Sequence, residues 1–150
     1  MDSITNYLGS AHSHCDDRFV EAENAVLDGL WDKGARFFQE FTAMVEQHFA
    51  MEEKILFPAI EAATGNASGP TEIMRNEHEQ MRRIVAMLVE TIAKRDKAAF
   101  LGQCETFNIM VQQHNIKEES ILYPMADRIL GARAGATISA MHHFEETARS

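Results

Sequence analysis

The feature that most constrains this chain is an eleven-residue pattern that occurs twice. The first copy runs from His48 to Pro58 and the second from His114 to Pro124, and both follow H-x-x-x-E-E-x-I-L-(F/Y)-P. Residues four apart lie on one face of a helix, so each copy places an imidazole beside a carboxylate. Two such helices facing each other offer two histidines and two carboxylates, a donor set that suits iron, manganese or zinc. The repeat therefore predicts a helical protein with a metal centre.

The composition is that of one globular domain built from long helices. Of 150 residues, 45% are hydrophobic and 25% are charged, and only three prolines and eight glycines interrupt the chain. The sequence predicts an all-α fold, an up-down-up-down four-helix bundle with a short additional C-terminal helix. A single domain spans residues 1–150, with its core at 10–130 and a C-terminal helical extension at 132–149.

Net charge and cysteine content narrow the expected partners and location. The formal charge of -9 argues against nucleic acid or an anionic membrane surface as a partner. No apolar run approaches the ~18 residues of a membrane span, and the first residues lack the basic and apolar regions of a signal peptide. Two cysteines, Cys15 and Cys104, indicate no disulfide framework. We expect a cytoplasmic protein without nucleic-acid or membrane partners, present as a monomer or homodimer.

Hydrophobic periodicity and helix-ending residues predict the first two helices. The first helix extends from Ser10 to Asp28 and follows a short N-terminal arm. The second begins near Asp32, which can cap it, and ends at Gly65. Pro58 lies inside this second pattern, so we expect a kink or the local loss of a hydrogen bond there.

The other helices are bounded by equally clear signals. Residues 66–70 form a loop, and Pro70 fits the first turn of the third helix. Asp96 can cap the fourth helix, which stops at Gly131. Residues 132–150 form a weaker amphipathic segment that we expect to dock on the bundle as a fifth helix.

Each long helix carries an apolar stripe that should face the interior. In the second helix the stripe contains Phe37, Phe41, Met44, His48, Ile55 and Ala59. In the third it contains Met74, His78, Met81, Val85, Leu88 and Ile92. In the fourth it contains Phe107, Val111, His114, Glu118, Ile121 and Met125. Glu53 and Glu119 are predicted to point away from these faces.

Six polar side chains fall inside the stripes and form the candidate site: His12, His48, Glu52, His78, His114 and Glu118. Taken singly, each has an ordinary explanation, either as a hydrogen-bonded core residue or as half of a surface pair worth ~0.3 kcal/mol. Their coincidence favours a metal site, because desolvating two carboxylates costs several kcal/mol unless cations satisfy them. The other histidines, His14, His142 and His143, are expected at the surface. Both cysteines are expected to be packing residues.

Four segments together resemble the bacterial hemerythrin-like proteins of the HHE cation-binding type. They are residues 11–16 (AHSHCD), 48–53 (HFAMEE), 77–82 (EHEQMR) and 114–119 (HNIKEE), and the resemblance covers residues 5–130. It implies a four-helix bundle with a non-haem di-iron centre, bridged by two carboxylates and an oxo, hydroxo or water oxygen. The activities it implies include reversible O2 binding, oxygen, redox or iron sensing, and nitrosative-stress defence.

The resemblance also implies a role for each candidate. Glu52 and Glu118 would bridge the two iron ions; His12 and His48 would hold one iron, and His78 and His114 the other. The chain departs from the oxygen-carrier pattern, which has H-x-x-x-H on the third helix and H-x-x-x-x-D on the fourth.

The third-helix departure removes one ligand. The positions four residues from His78 are Met74 and Arg82, so the second iron would have two histidines rather than three. The open position could be filled by Glu77 or by water. The sequence therefore predicts a di-iron protein that binds or senses O2 or NO, more readily a binding protein than an enzyme. The alternatives are a di-iron enzyme in peroxide or NO defence or in iron-centre repair, and a metal-stabilised structural module, for example with zinc.

Overall fold

Four long antiparallel helices and one shorter helix make up the computed structural model, which describes residues 2–149. The helices are α1 (Ile4–Leu27), α2 (Trp31–Met51), α3 (Phe57–Thr64), α4 (Pro70–Ala93), α5 (Lys97–Lys117), α6 (Tyr123–Leu130) and α7 (Ala134–Arg149). A π-helical turn, Glu52–Leu56, joins α2 to α3, and a second one, Glu118–Leu122, joins α5 to α6. The long helices of the bundle are thus α1, α2 with α3, α4, and α5 with α6. The predicted all-α up-down-up-down bundle with an added C-terminal helix is confirmed. Within residues 2–149, no helix has both the length and the apolar character needed to cross a membrane.

Helix α1 begins earlier than the sequence indicates. It starts at Ile4 rather than Ser10, so the prediction of a non-helical arm is wrong. The Ser3 hydroxyl accepts a hydrogen bond from the backbone N–H three residues later, at 3.0 Å. The Asp127 carboxylate, from α6, accepts hydrogen bonds from the first two N–H groups of the helix at 2.8 and 3.2 Å. These two caps satisfy donors that a helix start otherwise leaves unpaired, and Ile4 is fully buried.

The other helix ends follow the sequence, with one exception. Pro70 occupies the first turn of α4, the Asp96 side chain caps α5, and Gly131 ends α6 with a φ of 52°. The exception is the start of α2, where Leu30 is the cap residue and makes no side-chain hydrogen bond. Asp32 lies in the first turn of α2 with its carboxylate exposed, so its predicted capping role is wrong.

The distortion predicted at Pro58 is confirmed as a π-helical turn, and the same turn recurs before Pro124. In each copy a backbone N–H donates to a carbonyl five residues back, from Phe57 to Glu52 in the first copy. The equivalent bond in the second copy runs to Glu118. The proline that follows has no N–H to donate, which makes a change of hydrogen-bond register less costly at this point.

The π turns shift the buried face by one residue. A regular helical period places Ile55, Ala59, Ile121 and Met125 on the inner face, and these four predictions are one position too early. The buried residues are Leu56, Ile60, Leu122 and Ala126, each at most 2% exposed. Ile121 is 62% exposed. In α4, which has no π turn, the inner stripe is buried as predicted. In α2 the predicted Phe37 and Met44 are wrong: they are half-buried, and their neighbours Phe38 and Val45 are buried instead.

Two apolar clusters fill the bundle, with a polar layer between them. The first cluster is rich in phenylalanine and includes Phe19, Phe38, Phe41 and Phe107. The second lies toward the chain termini and includes Ile4, Leu8, Leu56, Leu122 and Met141. Because Met141 is fully buried, α7 closes this end of the bundle, as expected for a docked fifth helix. The six candidate residues lie between the two clusters along all four long helices.

Candidate metal centre

The candidate side chains from the four long helices converge in one buried layer. Their residues are between 0 and 6% exposed: His12, His48, Glu52, His78, His114 and Glu118. Each imidazole projects from a different long helix, while both carboxylates project from the first residue of a π turn. The π turns thus set the position of the two inner carboxylates at the centre of the bundle.

The donor atoms form two adjacent groups. One oxygen or nitrogen from each of Glu52, His78, His114 and Glu118 lies within 4.8 Å of the others. A second group, within the same distance, combines His12, His48 and Glu118. Glu118 belongs to both groups, so the two sets share one carboxylate. Two metal positions connected through Glu118 are compatible with this geometry.

The second glutamate of each repeat supports an imidazole from another helix. Glu53 Oε2 lies 2.7 Å from Nδ1 of His78, and Glu119 Oε2 lies 3.1 Å from Nδ1 of His12. The sequence places both glutamates off the inner face of their own helices, and it misses that they reach histidines of neighbouring ones. A carboxylate on the outer ring nitrogen fixes the orientation of a metal-binding imidazole and increases its basicity.

Glu77 has the same supporting role. Its Oε1 lies 2.8 Å from Nδ1 of His114, and its other oxygen pairs with Lys117. Both oxygens are engaged outside the donor groups, so the suggestion that Glu77 fills the missing ligand position of the third helix is wrong.

The two residues that replace the missing histidine also lie outside the donor groups. Met74 is buried in the apolar cluster near the chain termini. Arg82 points outward and pairs with Glu46, Glu53 and Glu79 at 2.6 to 2.9 Å. Because Arg82 holds Glu53, and Glu53 contacts His78, the arginine stabilises the site through two successive contacts.

Tyr123 is a site residue that the sequence analysis misses. Its hydroxyl donates to Glu52 Oε2 at 2.6 Å and lies 2.8 Å from Glu118 Oε1. The same oxygen is 3.2 Å from Nε2 of His12 and 3.4 Å from Nε2 of His48. The residue is fully buried. The available signal is the residue before the proline of each repeat, which is phenylalanine in the first copy and tyrosine in the second.

Unpartnered atoms provide a test of whether these residues fit a metal. Among the described residues, five buried side-chain atoms have no hydrogen-bond partner: His48 Nδ1, Glu52 Oε1, His78 Nε2, His114 Nε2 and Glu118 Oε2. The last four come from the four residues of the first donor group. Buried polar atoms without partners are costly, and a cation among these four would satisfy all of them. The donor set therefore fits a metal ion.

The carboxylates hold two of the histidines in their charged form. Burial by itself lowers the pKa of His12 and of His78, but hydrogen bonds to nearby glutamates outweigh it and raise each pKa to about 9. His48 has no outer carboxylate, and burial lowers its pKa to about 4. Burial works against the charge of Glu118, yet the imidazoles of His114 and His12, at 3.2 and 3.0 Å from its Oε1, hold its pKa well below the usual range. The layer thus combines a charged Glu118 carboxylate with charged imidazoles at His12 and His78.

The remaining histidines and the cysteines lie outside the two groups. His14, His142 and His143 are exposed, as predicted. Cys15 and Cys104 are free thiols, and burial raises the pKa of each to about 12. Within residues 2–149, the donor groups contain imidazole nitrogen and carboxylate oxygen without sulfur, a set that suits iron, manganese or zinc.

Comparison with known proteins agrees with this site. The family model of the hemerythrin HHE cation binding domain matches residues 4–126. An iron-sulfur cluster repair protein YtfE of Yersinia pseudotuberculosis serotype IB (strain PB1/+) is 30% identical over 106 residues, 59% of this chain and 46% of that protein. A YtfE of Musicola paradisiaca (strain Ech703) is 31% identical over 93 residues, 56% of this chain and 42% of the relative. The chain thus aligns with less than half the length of either relative. No solved structure matches the chain.

Proposed function

This chain belongs to the hemerythrin HHE cation-binding family, and on that premise we propose that it is a non-haem di-iron protein that binds O2 or NO. The observation that carries the proposal is the pair of buried donor groups that share Glu118. A structural metal site needs only one closed set of ligands, whereas two adjacent sets joined by a carboxylate are typical of di-iron proteins built in helical bundles.

We assign the ligands according to these groups. His12 and His48 would hold one iron, and His78 and His114 the other. Glu118 would bridge the two ions, since its oxygens reach both groups. Glu52 would be the second bridging carboxylate: its Oε1 lies 3.1 Å from His78 Nε2 and 3.6 Å from His48 Nε2.

The protein supplies orientation, a proton and a dry environment. Two ferrous ions would provide electrons and open coordination positions for a diatomic ligand. Glu53, Glu77 and Glu119 orient three of the imidazoles from outside. The Tyr123 hydroxyl holds a proton at the centre, where burial raises its pKa well above the usual value. Phe49 stacks on His78 with ring centroids 4.0 Å apart and covers that side of the site.

A second candidate function follows from the relatives. Both curated relatives carry the name of iron-sulfur cluster repair proteins, and the same di-iron site in this chain could act in repair. Because this chain covers less than half of either relative, we propose iron-sulfur cluster repair only as an alternative to O2 or NO binding. Binding predicts reversible uptake of a stoichiometric ligand, whereas repair predicts multiple turnovers with a damaged iron-sulfur protein and an electron donor.

Location and assembly follow the same premise. Two free cysteines support a reducing compartment such as the cytoplasm. We propose a monomer or homodimer, which light scattering of the purified protein would distinguish.

Metal analysis tests the proposal. Protein purified without oxygen from iron-replete cells should contain about two irons per chain, the number of donor groups. His78→Ala should lose iron, while His142→Ala, a change at an exposed histidine, should retain it. Titrating the reduced protein with O2 and with NO then tests binding, and incubating it with a damaged iron-sulfur protein and an electron donor tests repair. Zinc in place of iron would identify a structural module, and folded protein without metal would contradict the assignment of the site.

A further inference from the structure

A cavity lies beside the candidate metal centre, on the side of His12 and His48. Its volume is about 130 Å³. The walls come from α1, α2 and α5 and are largely apolar, and they include His12, Phe19, Phe41, His48, Phe107 and Asn115. The cavity thus ends on two of the histidines assigned to one iron.

The cavity is larger than a diatomic ligand needs. An apolar cavity of about 150 Å³ engineered into another protein holds a benzene molecule, which makes this space comparable to one six-membered ring. The rings of Phe19 and Phe107 lie with centroids 5.2 Å apart, and those of Phe41 and Phe107 cross almost at right angles at 5.8 Å. A further ring would find both stacking and edge contacts in these walls.

Polar groups on the wall lack hydrogen-bond partners among the described residues, and one of them is the buried Nδ1 of His48. Asn115 is only 6% exposed, and its side-chain amide makes no hydrogen bond to any residue in the part of the chain that the structure describes. An amide in this state favours a ligand that offers a hydroxyl or carbonyl group. Asp16 and His12 both line the cavity, so its walls offer a carboxylate as well as an imidazole and do not select for one sign of charge. The rest of the lining is largely apolar, and a charged ligand would lose its hydration there, which favours a neutral one.

We propose that this cavity binds a neutral, single-ring aromatic molecule that carries one hydroxyl or amide group. The ring packs against Phe19, Phe41 and Phe107, and the polar group pairs with the Asn115 amide. Such a ligand lies against His12 and His48, next to the place where O2 or NO would bind. The inference goes beyond the proposed function, because the cavity walls do not depend on which metal the centre contains.

Equilibrium dialysis tests the proposal on the protein as purified, with labelled phenol, benzene and benzoate as probes. We expect saturable binding of one phenol per chain, and about fivefold weaker binding of benzene because it lacks the hydroxyl. Benzoate should bind more weakly than phenol, because its carboxylate loses hydration among apolar walls. In Asn115→Leu, phenol and benzene should bind equally, since the apolar side chain keeps the shape of the cavity and removes the amide.

A filling variant and its control complete the test. Val111→Trp places a large side chain in the cavity and should abolish binding of phenol and of benzene. Ile109→Trp adds the same ring on the exposed side of α5, where the isoleucine is 55% exposed, and should leave binding unchanged. Absence of phenol binding, or an unchanged phenol preference in Asn115→Leu, would overturn the inference; the second criterion holds even where Val111→Trp fails to fold. If the purified protein bound phenol but contained no iron, the metal analysis would contradict the di-iron proposal and this inference would stand.

Discussion

The two copies of the repeated motif share a backbone conformation and differ in what they present to the centre. Each has a π turn that starts at its inner glutamate, Glu52 in one and Glu118 in the other. Five residues on, the first copy has Phe57, whose ring stacks on His78 at 5.7 Å. The second has Tyr123, whose hydroxyl lies among the donor atoms. The Tyr123 hydroxyl is thus one source of asymmetry between two copies that share a backbone conformation.

The asymmetry extends to the surroundings of the histidines. His78 and His114 are both supported by outer carboxylates at 2.7 and 2.8 Å. On the other side, His12 has a longer contact to the half-exposed Glu119, and His48 has no outer partner. The cavity also opens on His12 and His48. One half of the centre is thus held rigidly, and the other half is accessible, which suits a site that anchors a metal pair and admits a ligand from one side.

The largest effect should come from the carboxylate that the two halves share. Glu118→Gln removes a charge that contacts His12 at 3.0 Å and His114 at 3.2 Å. We expect both metal positions to weaken by more than the roughly 10–100-fold typical of an outer residue, since the shared ligand itself is lost. Metal content by elemental analysis measures the result. Glu119→Gln is the matched control at the next position, and equal loss in the two variants would contradict the shared role of Glu118.

A smaller loss should follow from removing an outer carboxylate of the rigid half. Glu53→Ala leaves the outer nitrogen of His78 without its partner, and we expect metal affinity to fall by about 10–100-fold. Competition with a chelator measures the affinity. Glu46→Ala removes a different partner of Arg82 that contacts no histidine, and should have little effect. If Glu119→Ala proved as damaging as Glu53→Ala, the distinction between a rigid and an accessible half would fail.

The tyrosine that separates the two repeats can be converted to its counterpart. Tyr123→Phe removes a hydroxyl from between Glu52 and Glu118 and leaves their oxygens without that donor. We expect the free energy of unfolding of the chelated protein to fall by about 1–3 kcal/mol, the cost of a buried polar group that loses its partner. Denaturant titration measures it. Tyr7→Phe, which removes a hydroxyl bonded to Glu145 near the surface, should cost less. Unchanged stability in Tyr123→Phe would show that the hydroxyl is not needed at the centre.

The four-helix bundle and the six candidate residues could be predicted from the sequence, because both follow from the periodicity of side chains within single helices. Features that depend on contacts between distant segments could not be predicted in this way. Helix α1 starts at Ile4 because Asp127, far along the chain, caps it. Glu53 and Glu77 support histidines of other helices, which no spacing within one helix reveals. Tyr123 occupies an aromatic position of the repeat, and only the tertiary structure shows that its hydroxyl faces the donors.

The smallest predicted effect tests the register change that positions both inner carboxylates. A regular helix would bury Ile121, but after the π turn Ile121 is 62% exposed and Leu122 is only 2% exposed. Ile121→Ser should therefore change the free energy of unfolding by no more than about 0.5 kcal/mol, as a surface substitution does. Leu122→Ser, one residue later, should cost about 3 kcal/mol or more, because it opens a cavity and buries a hydroxyl. Denaturant titration of both variants shows which of the two residues is buried. If Ile121→Ser cost more than Leu122→Ser, Glu118 would lie in a regular helix, and the two repeats would no longer share a π turn.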